Sequence, residues 1–160
     1  MQIMEELELK TVIKVCQPQE LSPEEQHLLD LAIEATQRSY APYSHFHVGA
    51  AVRLENGAEI IGCNQENAAY PSGLCAERTA LFSAGAQYPD VPVSVLAIAA
   101  RSTDGKLVEE PVGPCGSCRQ VIIESETRAK HPIRILLYGS RCVYVIDGVR
   151  SLMPLMFSEF

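Results

Sequence analysis

Positive charge is scarce in this chain. Its 160 residues carry 13 Lys and Arg against 20 Asp and Glu, a formal net charge of −7. Proteins that track a phosphate backbone usually present a basic patch, so this balance argues against nucleic-acid partners. A long apolar run is missing too. No stretch approaches the roughly 18–20 apolar residues needed to span a bilayer, so no membrane partner is expected. The opening MQIMEELELK has neither the basic start nor the apolar run of a secretory leader, which makes the cytoplasm the expected compartment. Internal repeats and low-complexity tracts are absent from the sequence. Disulfide scaffolding is also a poor reading: of the six cysteines, Cys16, Cys63, Cys75, Cys115, Cys118 and Cys142, only Cys115 and Cys118 form a C-x-x-C, and thiols in a reducing compartment stay reduced.

What is there fits one folded domain. Apolar residues make up 47% and charged residues 21%, ordinary values for a packed globular protein and against disorder. The length suits one sizeable core better than two. Residues 1–20 have no strong period and read as an N-terminal appendage whose order the sequence leaves open; residues 21–160 read as the domain.

Within that domain, LSPEEQHLLDLAIEATQRSYAPYS predicts a first helix. Ser22 suits the N-cap, Pro23 the first helical position and Glu25 the reciprocal capping bond. Leu28, Leu29, Ala32, Ile33 and Ala35 recur at helical spacing, and Pro42 is expected to end the helix. HFHVGAAVRLENGAEIIGCNQEN predicts a β-hairpin, because two β-prone runs flank the turn signal Asn-Gly. A polar loop follows, then a helix beginning near GLCAERTALFSAG. VPVSVLAIAA is a nearly continuous apolar run, the mark of a strand covered on both faces. A further helix is expected near PCGSCRQVIIESE, and then strands at IRILLYG and CVYVI. The order β-β-α-β-α-β-β suggests an α/β sheet covered by helices on its faces.

The chemistry concentrates at two of these helix starts. Cys75 and the Cys115/Cys118 pair both fall at predicted helix N-termini, where unpaired N–H groups and the positive end of the macrodipole favour thiolate, the form that binds metal. Helices lying side by side on one sheet face would bring the three sulfurs together, with a fourth tetrahedral position open. Structural zinc is usually closed by four protein ligands, whereas catalytic zinc keeps one position free. Three thiolates leave excess negative charge that weakens the metal as a Lewis acid, and Arg78, one turn along, is the natural compensating cation. Glu77, two residues past Cys75, is placed to take a proton from a metal-bound water and deliver it to a leaving group. Cys16, Cys63 and Cys142 read as small buried hydrophobes. A non-catalytic zinc-stapled module remains the alternative from a different class; it predicts a fourth protein ligand and leaves Glu77 idle.

Three longer stretches, PYSHFHVGAAV, GCNQENAAYPSGLCAERTALF and GPCGSCRQVI, closely resemble the small homotetrameric cytidine deaminases of pyrimidine salvage. The resemblance runs from about Leu21 to Phe157. It implies a three-layer α/β/α fold around a central five-stranded mixed sheet and one Zn²⁺ per chain held by Cys75, Cys115 and Cys118. It further implies a proton shuttle at Glu77, charge compensation by Arg78, and hydrolysis of cytidine and 2′-deoxycytidine to uridine and 2′-deoxyuridine with release of ammonia. Asn64 and Glu66 match the pair that bonds the ribose 3′-hydroxyl, and Phe46 the aromatic against the pyrimidine. Phe157 matches the C-terminal aromatic that reaches a neighbouring subunit's site. Two apart on an extended segment, Asn64 and Glu66 should point the same way. His47, Gln65 and Gly113 depart from the usual pattern, as does the bulky tail LMPLMF, which is easier to bury against a partner than in a small core. A deaminase for a related aminopyrimidine nucleoside, or for a polynucleotide, is the nearer rival; the acidic balance weighs against the latter.

Overall fold

The computed structural model describes residues 4–158. Residues 1–3 and 159–160, the outer ends of the two spans distinguished above, lie outside the described residues. The elements run β1 (Lys14–Cys16), α1 (Pro23–Ala35), β2 (His47–Leu54), β3 (Glu59–Cys63), α2 (Ala76–Gln87), β4 (Val93–Arg101), α3 (Gly116–Ala129), β5 (Arg134–Tyr138) and β6 (Val143–Asp147).

One mixed sheet holds all six strands, in the order β1-β6-β5-β4-β2-β3. β4 and β5 run parallel, joined across α3, and every other pairing is antiparallel. The sheet therefore has six strands rather than the expected five. The extra one is β1, whose Lys14, Val15 and Cys16 pair with Val145, Tyr144 and Val143. Three residues are too short to carry a periodic signal. What makes this stretch a strand is the open edge of β6, reinforced by the ion pair of Lys14 with Asp147 at 2.6 Å. The stretch read as an appendage thus contributes an edge strand, while its residues 4–13 adopt no regular element.

Helix α1 begins as its sequence dictates. Ser22 Oγ accepts from Glu25 N at 3.2 Å, and the Glu25 carboxylate accepts from Ser22 N at 3.1 Å. It ends earlier than Pro42 requires, giving way after Ala35 to a 3-10 turn over Thr36–Arg38. The cause is Thr36, whose hydroxyl donates to Ile33 O at 2.6 Å and accepts from Arg101 Nε at 2.8 Å. A buried threonine tied to a strand in this way competes with continued α-helical bonding.

The helices cover opposite faces of the sheet. Leu28, Leu29 and Ala32 of α1 pack with Ala51, Ala97, Ala99, Leu136 and Val145 on one side. Ala76, Ala80 and Ala84 of α2 and Ile122 and Ile123 of α3 pack with Ala50, Val52, Leu96, Ile98, Ile135 and Ile146 on the other. This is the expected three-layer α/β/α arrangement. Small residues set how closely the layers approach. Ala76, Ala80 and Ala84 recur every four positions on the buried side of α2. Beneath them lies Gly62 of β3, where an added Cβ would sit 2.4 Å from Ala80 N and 2.6 Å from Ala76 O. On the other face, a Cβ on Gly49 would sit 2.0 Å from Ala32 O.

Backbone atoms cannot step aside as a flexible side chain does, so Gly62→Ala must push α2 off the sheet. A stability loss of about 1–3 kcal/mol is expected from this overpacking, read as a lower urea midpoint with little change in m. An unchanged midpoint would refute the close approach as a constraint.

Candidate metal centre and adjoining cleft

Two helices start at the same edge of one layer, and each starts on a cysteine. Cys75 is the N-cap of α2 and Cys115 the N-cap of α3; both have extended backbone (φ −74, ψ 156 and φ −66, ψ 167). Their carbonyls accept the first intrahelical bonds, from Thr79 N at 3.0 Å and Arg119 N at 2.9 Å. Neither side chain caps its own helix, which leaves both sulfurs free to point at each other. Cys118 follows in the first turn of α3 and is fully buried.

The three Sγ atoms lie within 4.8 Å of one another, and Cys75 Sγ is 3.8 Å from Cys115 Sγ. A tetrahedral ion with bonds of about 2.3 Å to sulfur needs a sulfur–sulfur edge of roughly 3.8 Å, so this donor set fits zinc in spacing as well as in softness. Among the described residues no other group of three or more His, Cys, Asp or Glu side chains is gathered for a metal. Among the described residues the cluster gathers these three ligands.

Arg78 is on hand. Its Nη2 donates to Cys75 Sγ at 3.2 Å, and its guanidinium is held still more firmly protonated than usual, chiefly by that bond and also by Cys118. The Cys75 thiol is pushed down to about 5, foremost by the bond from Cys118, with Arg78 and Cys115 adding to it against the cost of burial. Cys118 moves the opposite way, because it donates to Cys75 and is buried beside Glu77. Arg78 Nε is buried with no hydrogen-bond partner among the described residues.

Glu77 lies directly beside the sulfurs. Its residue is 5% exposed, and burial, with the Cys75 charge adding to it, pushes its carboxyl above the usual carboxylate range. A glutamate stabilising a helix start would face water; this one faces the sulfur cluster.

A cleft of about 480 Å³ opens outward from Cys75 and Arg78, lined also by Asn64, Glu66, Ser44 and Tyr70. Asn64 and Glu66 do point the same way, as expected of residues two apart on an extended segment. Their common target is the loop before β2. Asn64 Oδ1 accepts from Val48 N at 2.8 Å and its Nδ2 donates to Phe46 O at 2.9 Å. The Glu66 carboxylate accepts from Tyr43 N at 2.9 Å, from Ser44 N at 3.2 Å and from Ser44 Oγ. Those bonds hold its carboxyl below the usual range, Ser44 Oγ first among them.

Cys75, Cys115, Cys118, Glu77 and Arg78 are therefore gathered in one cluster, with Asn64 and Glu66 on the wall of the adjoining cleft. Phe46 is half-buried and joins this group through its backbone, but its ring is not among the cleft-lining groups. Phe157 does not line the cleft either. It is 65% exposed, and its carbonyl accepts from Gln120 Nε2 on α3 at 2.8 Å. Sequence reasoning missed Tyr43 and Ser44, whose amides and hydroxyl hold Glu66. It also missed Arg119, which ties Pro114 O (2.8 Å) to Leu152 O (2.6 Å) and so fastens the loop before α3 to the C-terminal segment. The Pro-Tyr-Ser turn was a visible signal for the first pair; a pairing 33 positions apart gave none for Arg119.

Residues 22–131 match the model of the cytidine and deoxycytidylate deaminase zinc-binding region. The chain is 46% identical over 99 residues to the cytidine deaminase of Halalkalibacterium halodurans, covering 62% of this chain and 70% of that protein. It is 39% identical over 109 residues to that of Mycobacterium tuberculosis, covering 64% and 74%. The crystal structure of cytidine deaminase from Burkholderia pseudomallei superposes with a TM-score of 0.70 at 38% identity, covering 82% of this chain and 97% of that one.

Metal analysis of the purified protein should find about one zinc per chain, since the cluster has ligands for one ion. Cys118→Ser, which replaces the buried sulfur, is expected to lose most of that zinc and to lower the melting temperature as the ion's binding energy is withdrawn from the folded state. Full zinc occupancy in that variant would remove Cys118 from the ligand set.

Proposed function

The chain belongs to the cytidine and deoxycytidylate deaminase family, and on that premise we propose that it hydrolyses cytidine and 2′-deoxycytidine to the uridines and ammonia, serving pyrimidine salvage. The observation that carries this reading is a buried carboxylate, Glu77, set against three converging thiols at the inner end of an open cleft. Salvage enzymes work on free nucleosides in the cytoplasm, and no helix among the described residues is long and apolar enough to cross a membrane.

Cys75, Cys115 and Cys118 would hold the ion as thiolates, with Arg78 and two helix N-termini offsetting their charge. Zinc bound there would supply a Lewis acid able to acidify water. Glu77 accepts the first proton of the attacking water as the water oxygen bonds to C4 of the pyrimidine, and passes it to N3. It then carries the second proton to the exocyclic nitrogen as the C4–N4 bond breaks. One water is consumed, C4 gains a carbonyl oxygen, N3 gains a hydrogen and ammonia departs, so atoms balance with no further reactant. Burial of Glu77 keeps bulk water from competing for these protons.

Asn64 and Glu66 hold the sugar at its 3′-hydroxyl, a group that cytidine and 2′-deoxycytidine share. That is why both substrates are expected. Phe46 supports the pyrimidine from the loop that these two side chains fasten. Phe157, with the exposed Leu155 beside it, completes a neighbouring chain's cleft in a homotetramer; Arg119 and Gln120 set where the tail leaves the domain. An exposed aromatic held by its own backbone is well suited to such a contact, because its position is fixed before the partner arrives.

Glu77→Gln keeps the shape of the side chain and removes its basicity. It is expected to retain zinc while turnover on cytidine falls by about 10²–10⁴-fold or more, the range of a lost general acid–base. Near-normal turnover would refute the shuttle. Phe157→Ala should raise KM for cytidine several-fold at unchanged zinc content. An unchanged KM, with the assembly state intact, would mean that the tail serves no site.

A further inference from the structure

Among the described residues, Ser44 has bonds that tie together two groups the reaction needs. Its hydroxyl has one proton and two lone pairs. The proton goes to Glu66 Oε1, since an ionised carboxylate can only accept, and a lone pair is then left to take the Phe46 N–H at 3.1 Å. The directions of both bonds follow from the chemistry of the partners. One side chain thus joins the carboxylate on the cleft wall to the residue assigned to the pyrimidine.

The turn that presents this hydroxyl is built for the purpose. His45 has φ 55, a left-handed conformation seldom adopted by a non-glycine residue. It is stabilised by His45 N donating to Ala41 O at 3.1 Å. That reversal brings Tyr43 N, Ser44 N and Ser44 Oγ onto one carboxylate. Asn64 closes the other end through Phe46 O and Val48 N, and Glu66 N donates to Tyr40 O at 2.8 Å. The loop is held at four points, yet only Ser44 touches both the carboxylate and Phe46.

Counting acceptor sites gives the consequence. A carboxylate offers about four lone-pair sites. Tyr43 N and Ser44 N use both on Oε2, and Ser44 Oγ uses one on Oε1. One acceptor site remains, on Oε1, with room for a single donor.

We propose that Ser44 is a positioning and specificity-determining residue, which fixes Glu66 so that it accepts one sugar hydroxyl and refuses a sugar that offers no donor there. The proposal rests on the reading that Glu66 faces the 3′-hydroxyl. A carbonyl or phosphate group at that position, having no proton to give, is refused on the same ground. Loss of the Ser44 hydroxyl leaves Oε2 held by Tyr43 N and Ser44 N but removes the donor that fixes Oε1, the oxygen left for the sugar, and the advantage of a 3′-hydroxyl diminishes with it.

Steady-state rates on cytidine and on 2′,3′-dideoxycytidine test this, with zinc content and melting temperature measured on the same samples. For Ser44→Ala, kcat/KM on cytidine should fall by about 10–100-fold, the effect of one hydrogen bond to a charged group, with most of the change in KM. The rate on dideoxycytidine, which makes no bond to Glu66, should fall far less, so the preference for the 3′-hydroxyl narrows. Ser44→Thr keeps the hydroxyl and should restore the preference. If Ser44→Ala fails to fold, Ser44→Cys keeps the volume with a much weaker donor, and the same narrowing is expected. Equal losses on both substrates, or no loss on either, would overturn the proposal. Glu66→Ala, which removes every acceptor at that position, separates this from the underlying reading: if that variant leaves the preference intact, Glu66 does not face the sugar at all, whatever Ser44 does.

Discussion

The proposed chemistry depends on three sulfurs being held where, as thiolates, they would repel one another. Cys75, Cys115 and Cys118 sit within 4.8 Å of one another, and each additional thiolate raises the cost of the next. Two helix N-termini aim their positive ends at the cluster, and Arg78 adds a full charge on Cys75. The sheet makes this possible because β3 and β4 deliver α2 and α3 to the same face, with their starts adjacent. Gly62 then lets α2 lie against β3 closely enough for Cys75 to reach the others. A backbone constraint at Gly62, packed against Ala76 between Cys75 and Glu77, therefore bears on where the first turn of α2 sits.

The cleft wall shows the same economy in another form. Asn64 and Glu66 are assigned to the substrate, yet in the folded chain they also fasten the loop that carries Phe46. A side chain with both duties must keep its orientation whether or not a ligand is present. Glu66 manages this with three donors from Tyr43 and Ser44, and Asn64 by bonding a carbonyl and an amide of neighbouring residues at once. Preorganised groups of this kind lower the ordering cost of binding. They also make the wall sensitive to residues that never meet the ligand.

Much of this was legible in the sequence, for identifiable reasons. Ser22, Pro23 and Glu25 describe a helix start through local bonds alone, and the structure has those bonds. Cys75 and Cys115 could be placed at helix N-termini because GLCAERT and PCGSCRQ contain both the breaker and the helix formers. β1 could not be read, since three residues pair with β6 only because that edge is open. Thr36 ended α1 before Pro42 through a bond to Arg101, 65 positions away. Ser44 was hidden differently: its hydroxyl matters through two partners, one two residues away and the other 22. Side chains whose meaning is a long-range bond leave no periodic trace.

The placement of β4 has a bearing on how the chain assembles. Cys75 and Cys115 are 40 positions apart, and the segment between them contains β4, which pairs with β2 on one side and β5 on the other. The two helix starts face each other only once that strand has been laid into the interior of the sheet, and the parallel β4–β5 pairing is the slow, non-local kind. The three-sulfur site is thus expected late in folding, and tight metal capture would then mark a chain whose central strand is already in register.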